Sequence, residues 1–228
     1  MKTKLKLVAA VSLSLMGLSA HAVPVTYIGT DDNVSSLAQM VNSQAAANNF
    51  LSVAGNLNVF DFESATPANL TVTGGSTVTG SSCGALCGFN TTSGGSNHRE
   101  VFGGSVTFTF TNPVDAFGFY VNGLQTDIVP QQTIEYVDGS QSSQVINFPS
   151  SVNGGGAFVG FIDFGQLISS VTFNATNDIL GFDDLRFGRS ENNPGDPVSV
   201  PEPGSLALFG LGLLGLGVAR RRKSSSAV

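Results

Sequence analysis

The chain has 228 residues, a formal net charge of −6 and no Trp. Between Val23 and Val200 there is no Lys, and three cations, Arg99, Arg186 and Arg189, stand against 15 Asp and Glu, leaving −12. Nucleic-acid binding needs a cationic surface to displace counterions from phosphates, so that class is excluded; an acidic surface suits secretion, solubility and cation binding.

Met1 to Ala22 reads as a secretory signal peptide. Lys2, Lys4 and Lys6 form its positive region, Leu7 to Leu18 its apolar region, and Ala20-His21-Ala22 a small-x-small cleavage site. Export through the Sec pathway follows, with a mature chain from Val23. Residues 23–190 have the length of one domain. Residues 23–200 hold 16 of the 17 Phe, enough aromatic area for a core.

Within residues 23–56 the spacing of Val34, Leu37, Ala38, Val41 and Ala45 predicts an amphipathic helix. Asp31, Asp32 and Asn33 supply capping oxygens before it, Asn48 and Asn49 end it, and Gly55 breaks the chain again. The stripe is one face wide, which places the helix on the outside of the remaining body.

From Leu57 the period changes to two. Val106, Phe108 and Phe110 alternate with Ser105, Thr107, Thr109 and Thr111, a half-buried strand with its threonines outward. Further strands are expected over 57–63, 70–78, 117–121, 133–137, 141–148, 158–164, 168–173 and 182–187, with Asp138-Gly139 as a hairpin turn. About nine strands with Gly, Asn, Ser and Asp between them predict an all-β, jelly-roll-like sandwich carrying one N-terminal helix.

Residues 80–104 are rich in Gly, Ser, Asn and Thr without a period, and read as one long surface loop. It holds the only two cysteines, Cys83 and Cys87. In an exported chain such a pair reads as a local disulfide staple; Cys-x-x-x-Cys is not the usual redox spacing, and no second Cys or His pair completes a zinc site. His98, the single histidine after residue 22, reads as a surface residue. No Gly-x-Ser-x-Gly, His-Glu-x-x-His or phosphate-binding glycine loop occurs, and the body reads as non-enzymatic.

Strand alternation puts Asp183, Leu185 and Phe187 on one face and Phe182, Asp184 and Arg186 on the other. With the first set on the core, Asp183 needs a partner. Glu63 closes the first core strand after Phe60 and Phe62.

After a linker at 191–199 comes a segment of three parts over 200–223. Pro201-Glu202-Pro203 is rigid and extended. Residues 205–219 hold no charge, and as a helix reach ~22 Å against a ~30 Å hydrocarbon core, a marginal membrane span. Arg220, Arg221, Arg222 and Lys223 favour a cytoplasmic C-terminus.

This segment resembles the PEP-CTERM sorting signal of Gram-negative bacteria. The resemblance implies an exosortase as partner, cleavage near Pro201-Glu202-Pro203, transient anchoring in the inner membrane, and then a cell-surface or extracellular location in association with exopolysaccharide. The body, through Phe60-Asp61-Phe62-Glu63, Ala116-Phe117-Gly118-Phe119 and Phe182-Asp183-Asp184-Leu185, is similar to secreted β-sandwich carbohydrate-binding modules. In those modules a glutamate after the first strand and an aspartate on the adjacent last strand help hold a structural Ca²⁺, which implies Glu63 and Asp183 here. Two functions follow as expectations: a surface or extracellular-matrix protein, or a lectin-like module. With no Trp and only Tyr27, Tyr120 and Tyr136, stacking platforms for sugars are scarce.

Overall fold

The computed structural model describes residues 23–125, 131–146 and 154–191. The signal peptide, most of the linker and the whole of 200–223, with the hydrophobic helix expected at 205–219, lie outside the described residues. Among the described residues no helix is long and apolar enough to cross a membrane.

Strand β1 is Val25–Asp31, helix α1 is Val41–Ala54, and β2 is Asn58–Phe60. Then come β3 (Leu70–Thr73), β4 (Ser76–Val78), β5 (His98–Val114), β6 (Ala116–Leu124), β7 (Gln131–Tyr136), β8 (Gln141–Val145), β9 (Gly155–Ile162) and β10 (Ile168–Gly188). Among the described residues the fold is mostly β with one α-helix, as the sequence predicts. Strand β1 was not anticipated. The strand expected over 70–78 breaks into β3 and β4 at Gly74-Gly75, where both residues have positive φ and a Cβ on Gly74 would lie 2.0 Å from the Ser105 carbonyl oxygen.

Two layers face each other. One runs β3-β5-β10-β7-β8 and uses Ile168–Asn174 of β10; the other runs β1-β9-β6-β10-β2 and uses Gly181–Gly188. They are not separate sheets. Strands β5 and β10, 17 and 21 residues long, run through both, so one ten-stranded sheet curls into a half-barrel. Register shifts around Thr176 mark where β10 passes from one layer to the other, since an extra residue bends a strand. Leu185 pairs with Phe60, so the first core strand and the last lie side by side, as expected.

The core between the layers is aromatic. Phe119 of one layer sits 5.7 Å from Phe108 and from Phe173 of the other, and Phe110 stacks on Phe187 at 5.4 Å. On β5 Val106, Phe108 and Phe110 point inward and Ser105, Thr107, Thr109 and Thr111 outward, as the alternation predicts, while Phe102, nearer the start of the strand, is exposed.

Strands β6 and β9 are buried on both faces. Phe117, Phe119, Val159 and Phe161 enter the main core, while Ala116, Tyr120, Phe158 and Ile162 pack under α1. The helix therefore lies outside the sheet, as its one-sided stripe implies. Its position and its stripe differ from the expected ones. It runs to Ala54, through Asn48 and Asn49, and buries Ser43, Ala46, Ala47, Phe50 and Ala54. Val41 and Ala45 are not in its buried stripe. The reason is its cap: Asp31, at the end of β1, accepts the Asn42 and Ser43 amides at 2.9 and 2.8 Å and starts the helix some ten residues downstream. Gly55 ends it with φ 76°. The helix sits so close that a Cβ on Gly29 would lie 2.2 Å from the Asn42 carbonyl oxygen.

The register gives this body two ends. Val25, Ile162, Ala116 and Gly188 line up across the helix-covered layer at one end, and Asp31, Gly156, Asn122 and Gly181 at the other. The first, the open end, carries the turn after β9 and the hairpin at Asp138-Gly139, closed by the Gly139 amide on the Tyr136 carbonyl at 3.0 Å. The second carries a polar strap, residues 79–97. The strap is shorter than the loop expected over 80–104, because β5 begins at His98.

Candidate functional site

Buried or strand-end side chains from four strands and their margins hold successive parts of the strap. Glu100 of β5 accepts the Ser82 amide and hydroxyl at 3.2 and 3.0 Å. Asn122 of β6 exchanges two hydrogen bonds with the Phe89 backbone, both 2.9 Å. Asp183 of β10 accepts the Thr91 and Thr92 amides at 2.6 and 3.2 Å and the Thr91 hydroxyl at 3.1 Å. Glu63, just after β2, accepts the Ser96 and Asn97 amides, both at 2.6 Å. A polar, aperiodic segment cannot bury enough apolar surface to hold itself, so these acceptors order it. Cys83 and Cys87 are joined by a disulfide within it.

The alternation drawn for Asp183 needs correction. Asp183 is fully buried, but it faces the strap, and Phe182 faces the core with Leu185 and Phe187. The cause is a bulge. Between Tyr120↔Asp183 and Gly118↔Arg186, β10 advances three residues and β6 two, with Asp184 at φ 49°. The extra residue turns both acids toward the same segment, and Asp184 accepts the Thr92 hydroxyl at 3.0 Å. Burial pushes the Asp183 carboxyl up to about 7, with the Thr91 amide opposing the rise.

Glu63 and Asp183 are thus brought to one segment, as ligands of one ion would be. Their oxygens, however, are taken up by N–H and O–H donors: one oxygen of each accepts three of them. A hard cation needs those lone pairs and carbonyl oxygens opposite them. The donor set, as arranged, does not fit calcium, and among the described residues no group of three or more His, Cys, Asp or Glu is placed to hold a metal.

His98 is not a surface residue. It is 1% exposed, beneath the strap, where a Cβ on Gly88 would lie 3.0 Å from its Nε2. Burial lowers its pKa, with Glu100 opposing. Its place as the first residue of a long strand, with Val101 and Val106 inward, was the signal that the loop reading concealed.

The open end carries a groove of two clefts that sequence reasoning missed. One, of about 410 Å³, is lined by Tyr136, Gln141, Ser142, Asp163 and Gln166 among others. The other, of about 320 Å³, includes Asp115, Asp163, Gln166 and Arg189. Both use the turn after β9. There the Asp163 carboxylate accepts the Gly165 and Gln166 amides at 2.9 and 3.2 Å, and the Tyr136 side chain lies close enough to feel its charge. Burial and this carboxylate raise the Tyr136 pKa. Asp115 accepts the Ser190 amide at 2.6 Å and meets the Arg189 guanidinium at 3.4 Å. The available signal was Asp163-Phe164-Gly165-Gln166, an Asx-turn pattern directly after an apolar strand.

Comparison with solved structures finds overlaps of modest extent. A family 29 carbohydrate-binding module matches with TM-score 0.37 and 10% identity, over 59% of this chain and 94% of that one. A family 6 carbohydrate-binding module matches with TM-score 0.30 and 12% identity, over 59% and 95%. The enzymatically active domain of tailspike protein 4 of bacteriophage CBA120 matches with TM-score 0.30 and 16% identity, over 53% and 19%. No curated protein matches the sequence. Residues 199–223 do match a family, and on them the chain carries the PEP-CTERM protein-sorting motif.

Proposed function

We propose that this is an exported, non-catalytic surface or extracellular-matrix protein, sorted by an exosortase through residues 199–223 and associated with exopolysaccharide. The single observation that carries the reading is the motif match itself, which implies export and a membrane-anchored state before processing. The lysine-free body supports it, since an acidic surface keeps an exported protein soluble. The burial of His98 supports the non-catalytic part, because the one imidazole after residue 22 is withheld from solvent. Export runs through the Sec pathway, with transient anchoring in the inner membrane.

Expression with and without an exosortase tests the reading. The expected result is a shorter, released product only where the enzyme is present, and a full-length membrane-bound product when Pro201-Glu202-Pro203 is replaced by alanines. The same full-length membrane product in both hosts overturns it. The second reading, a lectin-like body, is favoured by the polar groove at the open end.

A further inference from the structure

We propose that the open-end groove binds a short run of uncharged sugar rings from a soluble polysaccharide, lying edgewise along Gln141, Ser142, Asp163 and Gln166. This names the ligand class for the lectin-like reading and rests on it; sorting through the tail stands without it.

Four observations carry the inference. The groove's polar groups are fixed before any ligand arrives: Asp163 is held by two backbone amides, and Asp115 by the Ser190 amide and Arg189. Fixed groups lose little freedom on binding. Second, Gln141 and Gln166 are exposed and Ser142 half-buried, and amide and hydroxyl side chains both donate and accept. A sugar hydroxyl does the same, so each contact can be matched in either direction.

Third, charge selects against anions. Asp115 and Asp163 are buried in the lining, the partly exposed Arg189 is neutralised by Asp115, and the body around them is strongly acidic. With the one cation among its described lining residues paired, the groove has no free positive charge to offset the repulsion of a phosphate or uronate by the acidic body. Fourth, the one tyrosine in the groove offers no flat platform. Tyr136 is 6% exposed, so the face of a crystalline polysaccharide cannot stack on it. Adjoining clefts of about 410 and 320 Å³ that share Asp163 and Gln166 suit a chain lying across the turn.

Titration calorimetry on the full-length protein in detergent, with cellotetraose, mannotetraose and maltotetraose as probes and tetragalacturonate as the anionic control, tests this. The expected result is saturable binding of at least one neutral tetrasaccharide and none of the uronate. Gln141→Ala and Gln166→Ala, both on exposed side chains, should each weaken binding by about tenfold, the worth of a lost hydrogen bond. Thr109→Ala, on the outer face of β5, should leave it unchanged. Failure of all three neutral probes, preference for the uronate, or binding that survives both glutamine changes overturns the proposal. Failure of the sorting reading shows separately, as unprocessed protein in cells whatever the calorimeter reports.

Discussion

The Asp183 carboxylate accepts the Thr91 amide at 2.6 Å across 92 residues of chain, with both groups buried. The last strand and the strap are thereby one structural unit.

Replacing Asp183 by Ala leaves the Thr91 and Thr92 amides without their acceptor. The expected cost is about 3 kcal/mol, a loss of roughly 6–12 °C in melting temperature for a body of this size. Asp183→Asn keeps an acceptor oxygen and should lose less than half of that. Equal losses for the two variants would show that the shape of the side chain matters and its acceptors do not.

The same carboxyl makes a pH prediction. Its folded pKa, about 7, lies above the ordinary carboxylate value, so the folded state holds the proton more tightly than the unfolded. Its contribution to stability is complete below about pH 4 and is lost as pH rises toward 7. The melting temperature of the parent relative to Asp183→Asn should therefore fall across that window. A constant difference between the two variants throughout the window would place the folded pKa at its ordinary value.

Calcium is expected to leave melting unchanged, because the oxygens of Asp183 and Glu63 already serve hydrogen-bond donors. An ion bound only to the folded state at a hundredfold excess over Kd stabilises by about 2.7 kcal/mol, which is several degrees here. A rise of that size, reversed by chelator and absent from Asp183→Asn, would show that the ion displaces the strap amides.

Glu63 differs from Asp183 in being exposed. Glu63→Ala should release only the far part of the strap. Hydrogen exchange at Ser96 and Asn97 should then accelerate at least about tenfold while the melting temperature moves by about 2 °C or less. A large fall in melting temperature would make Glu63 a part of the global fold.

Gly29→Ala tests the seating of the helix. Its Cβ would meet a backbone oxygen of α1 at 2.2 Å and the Ala46 Cβ at 2.9 Å, and neither is the end of a flexible chain. Destabilisation of about 1–3 kcal/mol is expected. Circular dichroism that shows no change in melting would mean that α1 lifts off β1 freely.

Much of the fold was legible because its cause is local. The alternation of Val106, Phe108 and Phe110 with hydroxyl residues reports a strand that is wet on one face, and the structure has it so. The helix was misplaced because its cap and its stripe are not local signals. Asp31 caps it from the end of a strand, and the buried face is mostly alanine, which a hydrophobic period detects poorly. The Asp183 face was misread because a bulge breaks the period of two without leaving any mark in composition. The groove was invisible for a third reason. Tyr136, Asp163 and Gln166 come from a hairpin and a turn that meet only through the pairing of β7 with the start of β10.

The course of the last strand decides how the body carries load. Strand β10 runs toward the open end between β6 and β2 and stops at Gly188, and Glu191 is tied to the end of α1 through its amide on the Ala54 carbonyl. The described chain stops at that same end, at Glu191, on the way to the sorting segment in sequence. A pull through it draws β10 along its own axis, so the ladder bonds to β6 and β2 are strained together in shear rather than opened one after another as in a zipper. A body held by its surroundings and tugged through its tail therefore resists with its whole central ladder.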